Sequence, residues 1–319
     1  MRVLITGGAG NLGSRLARHL LETDHEVRLL IHKTEPPSDL AASPSITVYR
    51  GDLSNPSTLS RACADADCIV HLAGVLFAPM PEEFLPRTNI GFVQNLLIAA
   101  KDSAIRKFIL VSFPHVEGET TPGHPATDRI DSATNVVHFR TRLAAERLLL
   151  GQCEGTPIIA VILRAGVVYG RGIKLIEAAR WLLRFRLLAI WQKPTWVHLI
   201  ALPDFLAAVL TAIENENARG IYNVCDDKPL TIQEFLDELA AQFGYRKPWR
   251  LPECVFYAAG ATCETAAKLF KTTAPLTRDI VRAGMTSAVA DNSRIKRELL
   301  TRLAYPTLRQ GIELLHIRR

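Results

Sequence analysis

Several features are scarce in this chain of 319 residues. Its six cysteines, at 63, 68, 153, 225, 254 and 263, form no C-x-x-C pair and no metal-type spacing, so neither a zinc site nor a dithiol centre is expected. No uncharged run reaches about 18 residues, which leaves nothing to span a membrane. There is no long run of Lys or Arg, and the net charge is only +6, from 38 basic against 32 acidic residues. Nucleic acid is therefore not an expected partner. No signal-type segment precedes the first apolar run, so the cysteines read as free thiols and the compartment as cytoplasmic. Internal repeats and low-complexity linkers are absent too. At 48% apolar and 22% charged residues, the chain has the composition of one large folded domain or two modest ones.

What is present starts at residues 6–13, Thr-Gly-Gly-Ala-Gly-Asn-Leu-Gly. An apolar run (Val3, Leu4, Ile5) precedes it, and an amphipathic pattern (Leu12, Leu16, Ala17, Leu20, Leu21) follows. A strand that turns sharply into a helix needs glycine, both for its φ freedom and for close approach to a pyrophosphate. Gly7, Gly10 and Gly13 sit three apart at that turn, and Asn11 and Leu12 open a helix whose free N–H groups suit phosphate. Further apolar runs at 27–31, 46–49, 68–72, 108–111, 158–163 and 221–224 alternate with helical patterns at 88–104, 138–150, 203–215 and 231–243. Near-continuous apolar strands belong to a parallel sheet covered on both faces. The expected fold is α/β, a doubly wound parallel sheet of the Rossmann type with a smaller C-terminal substrate lobe. The dinucleotide-binding domain is placed at 1–170, with 199–225 returning to it, and the substrate lobe at 171–198 and 226–319.

Other landmarks are Gly51-Asp52-Leu53, His71-Leu72-Ala73-Gly74, Thr88-Asn89, Leu163–Gly170, Tyr222-Asn223-Val224 and Asp291-Asn292-Ser293. With the glycine turn, they make the chain resemble an extended short-chain dehydrogenase/reductase of the NAD-dependent epimerase/dehydratase type, nearly end to end. That resemblance implies that Asp52 and Leu53 face the adenine. It also implies that Leu72, Ala73 and Gly74 let ribose and phosphates lie close, and that Gly166 and Val167 border the cofactor. NAD-specific sites place a carboxylate at the end of the second strand. Here Ile31-His32-Lys33 stands there and the first acid is Glu35, so NADP is expected over NAD, with His32 and Lys33 attracting the 2′-phosphate and Arg15 as a second cation.

The departures from the family lie at its catalytic positions. Most members use a Ser or Thr to hold the substrate oxygen, a Tyr to move the proton, and a Lys four residues later. Counting back from Glu146 puts His138 at the Tyr and Arg142 at the Lys. Counting from Gly118 puts Phe113 at the Ser/Thr, with Ser112 one position early. No Tyr-x-x-x-Lys occurs in the chain. His138 can donate a proton near neutral pH, Arg142 can hold ribose or phosphate, His115 is a second acid, and Ser112 orients a carbonyl if the loop shifts by one residue. Arg164 either pairs with an acid or lines the cofactor groove.

His115, Tyr169, Arg171, Trp181 and His198 are the candidate substrate residues, the last four in a stretch rich in Trp and Arg that suits a partly apolar ligand with an anionic group. Residues 173–191 can form a basic amphipathic helix serving as a lid, a packing surface or a membrane-surface contact. The expected activity is NADPH-dependent reduction of a carbonyl on a small, partly apolar substrate. Alternatives are an NAD-dependent nucleotide-sugar epimerase or dehydratase, and a non-catalytic NAD(P)-binding protein with a structural or redox-sensing role. A homodimer through the helices at 88–104 and 138–150 is implied by resemblance.

Overall fold

The computed structural model describes residues 1–74, 80–101, 103–270, 272, 274 and 276–315. The apolar runs become β1 (Arg2–Thr6), β2 (Glu26–Ile31), β3 (Ile46–Arg50), β4 (Cys68–His71), β5 (Lys107–Ser112) and β6 (Ile159–Ala165). With the strand Gly220–Val224 they form a seven-stranded sheet in the order Gly220–Val224, β6, β5, β4, β1, β2, β3. Every pairing in it is parallel. All residues of β4 and β5 are buried, because helices cover both faces of the sheet.

On one face, α1 (Asn11–Leu21) packs Leu16, Ala17 and Leu20 against Val3, Ile5 and Leu29, and the helix Leu202–Glu214 adds Phe205, Ala208 and Val209. On the other face, Phe92–Lys101 and Val137–Cys153 contribute Leu96, Ala145 and Leu149 against Leu4, Ile69 and Phe108. Each fully buried Leu, Ile or Phe contributes about 1.5–3 kcal/mol, which the backbone entropy of the same segments largely offsets. The strand order reverses at β1, whose neighbours are β2 and β4. The carboxyl ends of β1 and β4 therefore flank the crevice where ligands bind in such sheets.

The remaining chain builds a second core. Val167–Tyr169 pairs with Leu199–Ala201, Trp196–Val197 with Leu230–Thr231, and Ala189–Trp191 with Trp249–Leu251. Their apolar sides meet Ile176, Leu183, Phe235 and Leu239 from the helices Lys174–Arg184 and Ile232–Gln242. Thr231 and Glu234 close a reciprocal capping box on the latter helix.

Two expected helices end elsewhere. The 173–191 pattern is helical only over Lys174–Arg184, because Arg186 takes a left-handed conformation (φ +60°) and Leu187 N–H bonds back to the Leu182 carbonyl. The 88–104 pattern is a wide π-type turn over Pro86–Gly91 followed by the α-helix Phe92–Lys101.

Candidate active site

The glycine turn closes on itself at the end of β1. Gly7 has φ +73°, and a Cβ on it would stand 2.9 Å from the Ala73 nitrogen. The ends of β1 and β4 thus touch backbone to backbone. A Cβ on Gly13 would lie 2.2 Å from the Gly7 carbonyl oxygen, which leaves no room for any side chain. Gly10 donates its N–H to that same oxygen at 2.8 Å and caps α1 with no side-chain bond, so the first-turn N–H groups are open to an anion. No acidic residue stands in that first turn.

Asn11 and Leu12 do something the sequence did not announce. The Asn11 amide donates to the Gly172 carbonyl at 2.9 Å and accepts from the Lys174 N–H at 3.0 Å. Leu12 packs into the second core as well as the first. These two residues therefore tie the second core to the glycine turn. Arg15 lies beneath Gly172, whose missing Cβ would meet its guanidinium, and exposed Arg171 precedes that contact.

Along the crevice, Asp52 accepts from the Ser54 N–H at 2.8 Å, which with the Ser54 hydroxyl and His32 holds its carboxyl below the usual range. His32 Nε2 stands 3.9 Å from that carboxylate. The Leu53 carbonyl accepts from Asn95 at 2.8 Å. Lys33 is exposed, and Glu35 is engaged by Arg50 at 2.6 Å. Leu72 packs against the first core, and the Ala73 N–H bonds to the Thr6 hydroxyl at 3.4 Å. Gly166 and Val167 form the corner where the chain leaves β6. A Cβ on Gly166 would meet the His198 carbonyl at 2.6 Å, and Val167 N–H donates to that same carbonyl at 2.8 Å.

Phe113, His138 and Arg142, which counting placed at the family's catalytic positions, lie in one region of the structure. The Phe113 and His138 rings are stacked, with centroids 5.1 Å apart and planes 6° from parallel. His115 and Phe139 complete the cluster at 5.1 Å from each other. Arg142, one turn after His138, is buried and reaches Gly74, where its Nη2 would stand 3.3 Å from a Cβ. Among the described residues, its Nε and Nη1 are buried without a hydrogen-bond partner, and so is His138 Nδ1. Burial draws Arg142 down to about 10, against the pull of Glu146, so it stays charged at neutral pH. His138 falls to about 4 through burial and the nearby Arg142 charge, and His115 to about 4 through burial and His138. Both are neutral imidazoles at pH 7.

The sequence reading missed His71 as a site residue. It is fully buried, its Nδ1 is 2.7 Å from the Thr6 hydroxyl, and its Nε2 has no partner among the described residues. Burial and the Arg142 charge lower it to about 3. A histidine ending a buried strand beside a small-residue turn was the available signal.

Four expectations are corrected. Ser112 does not orient a carbonyl: it is buried, and its hydroxyl donates to the Glu146 carboxylate. That carboxylate also takes Arg164, whose Nη2 lies 2.7 Å away, while Arg164 Nη1 reaches Glu117. Glu117 in turn accepts the N–H groups of Asp128 and Arg129, so Arg164 is the hub of a buried ion network, the first of its two expected roles. Tyr169 is fully buried, its hydroxyl donating to the Thr307 carbonyl at 3.5 Å and its ring filling the place of a Gly311 side chain. His198 is buried with Nδ1 accepting from the Ala290 N–H and Nε2 at 3.7 Å from Asp226, inside the wall rather than on its surface. Trp181 faces outward with 56% exposure and packs on Phe185 rather than on the His138 cluster.

The cleft suits a nicotinamide dinucleotide on its own geometry. It combines a glycine cradle, an uncapped helix start and a buried cation with two unpartnered N–H donors. Among the described residues there is no group of three or more His, Cys, Asp or Glu placed to hold a metal, and no helix long and apolar enough to cross a membrane.

Residues 3–225 match the family model described as the NAD dependent epimerase/dehydratase family. The chain is 30% identical over 180 residues to a 3-beta-hydroxysteroid dehydrogenase of Mycolicibacterium neoaurum, a match covering 54% of this chain and 48% of that protein, about half its length. It is 27% identical over 295 residues to a 2-alkyl-3-oxoalkanoate reductase of Stenotrophomonas maltophilia, covering 87% of each. Among solved structures, a dTDP-glucose 4,6-dehydratase from Streptomyces venezuelae with NAD bound superposes with a TM-score of 0.78 at 19% identity, over 99% of this chain and 96% of that one.

Proposed function

Since the chain belongs to the NAD-dependent epimerase/dehydratase family, we propose that it binds NADPH and reduces a ketone on a small, largely apolar substrate. The observation that carries this reading is the cluster of Phe113, His138 and Arg142. It puts an N–H donor, an apolar ring and a buried cation with free donors at one edge of the crevice. The dinucleotide supplies the hydride when bound. Arg142 would hold its ribose or phosphate beside Gly74. His138, neutral at pH 7, would hold the ketone oxygen through a ring N–H, and the proton that completes the alcohol would come from solvent at the edge of the crevice. Phe113, where the family has a hydroxyl, gives the substrate an apolar wall. The named substrates of the two relatives, a steroid and an alkylated oxoalkanoate, have the apolar character this wall would favour.

The preference for NADPH rests on charge at the end of β2. Glu35 is occupied by Arg50, and Lys33 is exposed with His32 beside it in the chain. Lys33→Glu should weaken NADPH binding about tenfold and leave NADH nearly unchanged in a calorimetric titration.

The reductase reading is tested by following NADPH consumption against a panel of alkyl ketones. His138→Gln should lower kcat on the order of 100-fold while NADPH affinity stays within about twofold. Full turnover by that variant would overturn His138's role. One observation favours a second reading: with Phe113 in place of a hydroxyl and His138 neutral, the protein binds the dinucleotide without turning it over. NADPH binding with no turnover on any ketone would select that reading, and NAD retained through gel filtration would select an epimerase. A homodimer through Phe92–Lys101, on which Ile98 is 46% exposed, and Val137–Cys153 is part of the proposal, and sedimentation velocity tests it.

A further inference from the structure

We propose that the outer face of the Lys174–Arg184 helix, continued by Phe185, Leu187 and Trp249, docks onto an anionic lipid bilayer surface. Four large apolar side chains are more than half exposed there: Trp181 at 56%, Phe185 at 53%, Leu187 at 60% and Trp249 at 53%. Scattered exposed apolar residues are ordinary, but these are connected. Trp181 and Phe185 touch ring to ring at 5.1 Å, and Leu187 follows two residues after Phe185. The left-handed turn at Arg186 ends the helix, and the Trp249 indole N–H donates to the Arg186 carbonyl at 3.0 Å. With its polar edge satisfied by protein, the Trp249 ring can enter an apolar layer without leaving an unpaired donor.

The charge around this patch selects the occupant. Residues 171–193 carry Arg171, Lys174, Arg180, Arg184, Arg186 and Lys193 against a single acid, Glu177. Glu177 faces Arg180 at 3.9 Å, and Asp237, on the neighbouring helix, is taken by Lys247 and Arg250. Arg184 lies over the Phe185 ring at 5.7 Å and Arg186 over the Trp249 ring at 4.8 Å. Guanidinium groups held beside exposed rings match the boundary of a bilayer, where rings enter the acyl region and cations meet lipid phosphates. A second copy of the chain presenting the same face would bring cation against cation, so a symmetric dimer through this patch is disfavoured. Nothing in the patch crosses the bilayer. The surface lies on it.

The test is flotation of the full chain with vesicles of phosphatidylcholine alone and of phosphatidylcholine with about one-third phosphatidylglycerol. The bound fraction should be roughly tenfold higher on the anionic vesicles and fall with added salt. The triple variant Trp181→Ser, Phe185→Ser, Leu187→Ser should lose about tenfold of that binding, and Arg184→Gln with Arg186→Gln should remove the preference for anionic lipid. The apolar positions altered are more than half exposed, so thermal melts should match the parent and keep a folding defect distinguishable from a binding one. The proposal is overturned if the parent stays with the unbound fraction on anionic vesicles, or if the triple variant floats as well as the parent. It is equally overturned if the parent ignores vesicles and is a dimer that the triple variant dissociates.

Discussion

The glycine turn after β1 and the His138–Arg142 stretch of the Val137–Cys153 helix lie on the same crevice and follow opposite rules. At the turn, identity is dictated by backbone contact: Gly7 against Ala73, and Gly13 against the Gly7 carbonyl. No side chain chemistry is involved, and no alternative residue fits. On the helix, the positions aligned with the family's catalytic groups still meet, yet the groups are imidazole, guanidinium and phenyl. A packed scaffold keeps positions because many neighbours hold them, whereas the chemical groups carried at those positions can differ without loss of fold.

The sharpest way to break the contrast is Gly13→Ala. The added Cβ would sit 2.2 Å from the Gly7 oxygen and force the turn open, and dinucleotide binding should drop by more than about 100-fold in a calorimetric titration. Binding within a few-fold of the parent would show that the turn does not set the cofactor site. Next in size is the buried ion network around Arg164. Arg164→Ala leaves Glu146 and Glu117 as uncompensated buried charges, and chemical denaturation should show a loss of roughly 3–5 kcal/mol. A loss under about 1 kcal/mol would mean that water reaches the network.

The smallest effect sharpens the comparison by titration. The glycine turn contains no titratable group, but close by lie His71 at the end of β4 at about 3, and His115 after β5 and His138 on the Val137–Cys153 helix at about 4. Because these folded-state values lie below the ordinary 6.5, the unfolded chain takes up protons first as the pH falls. The stability that the neutral histidines contribute is complete above about pH 6.5 and drains away toward pH 4. Thermal melts across that window should fall steadily for the parent and less steeply for His71→Asn. Identical slopes would assign the acid sensitivity to other groups.

Individual residues show why some of this was legible in the sequence and some was not. The strands and α1 follow from apolar period and glycine placement, which are local properties of the chain. The alignment of Phe113 with His138 also came from counting, because both elements keep their length. Ser112 failed as a carbonyl-orienting residue because its partner, Glu146, lies 34 residues away on another element. Tyr169 and His198 resembled pocket residues by type, but the strand pair Val167–Tyr169 and Leu199–Ala201 and the segments packed on it enclose them. Asn11 resembled a phosphate-loop residue, and its side chain instead fastens the segment at Gly172 and Lys174.

By itself the sequence determined the parallel sheet, the glycine turn and the lack of any Tyr-x-x-x-Lys spacing, because each is written in neighbouring residues or in a fixed count along the chain. Only the tertiary structure decided that His138 and His115 are neutral, that Arg142 keeps unpartnered donors, that Arg164 anchors a buried network and that Trp181 faces outward. Protonation, pairing and exposure depend on what distant segments bring within a few ångströms, and desolvation of a charge is a property of the assembled fold rather than of any stretch of chain.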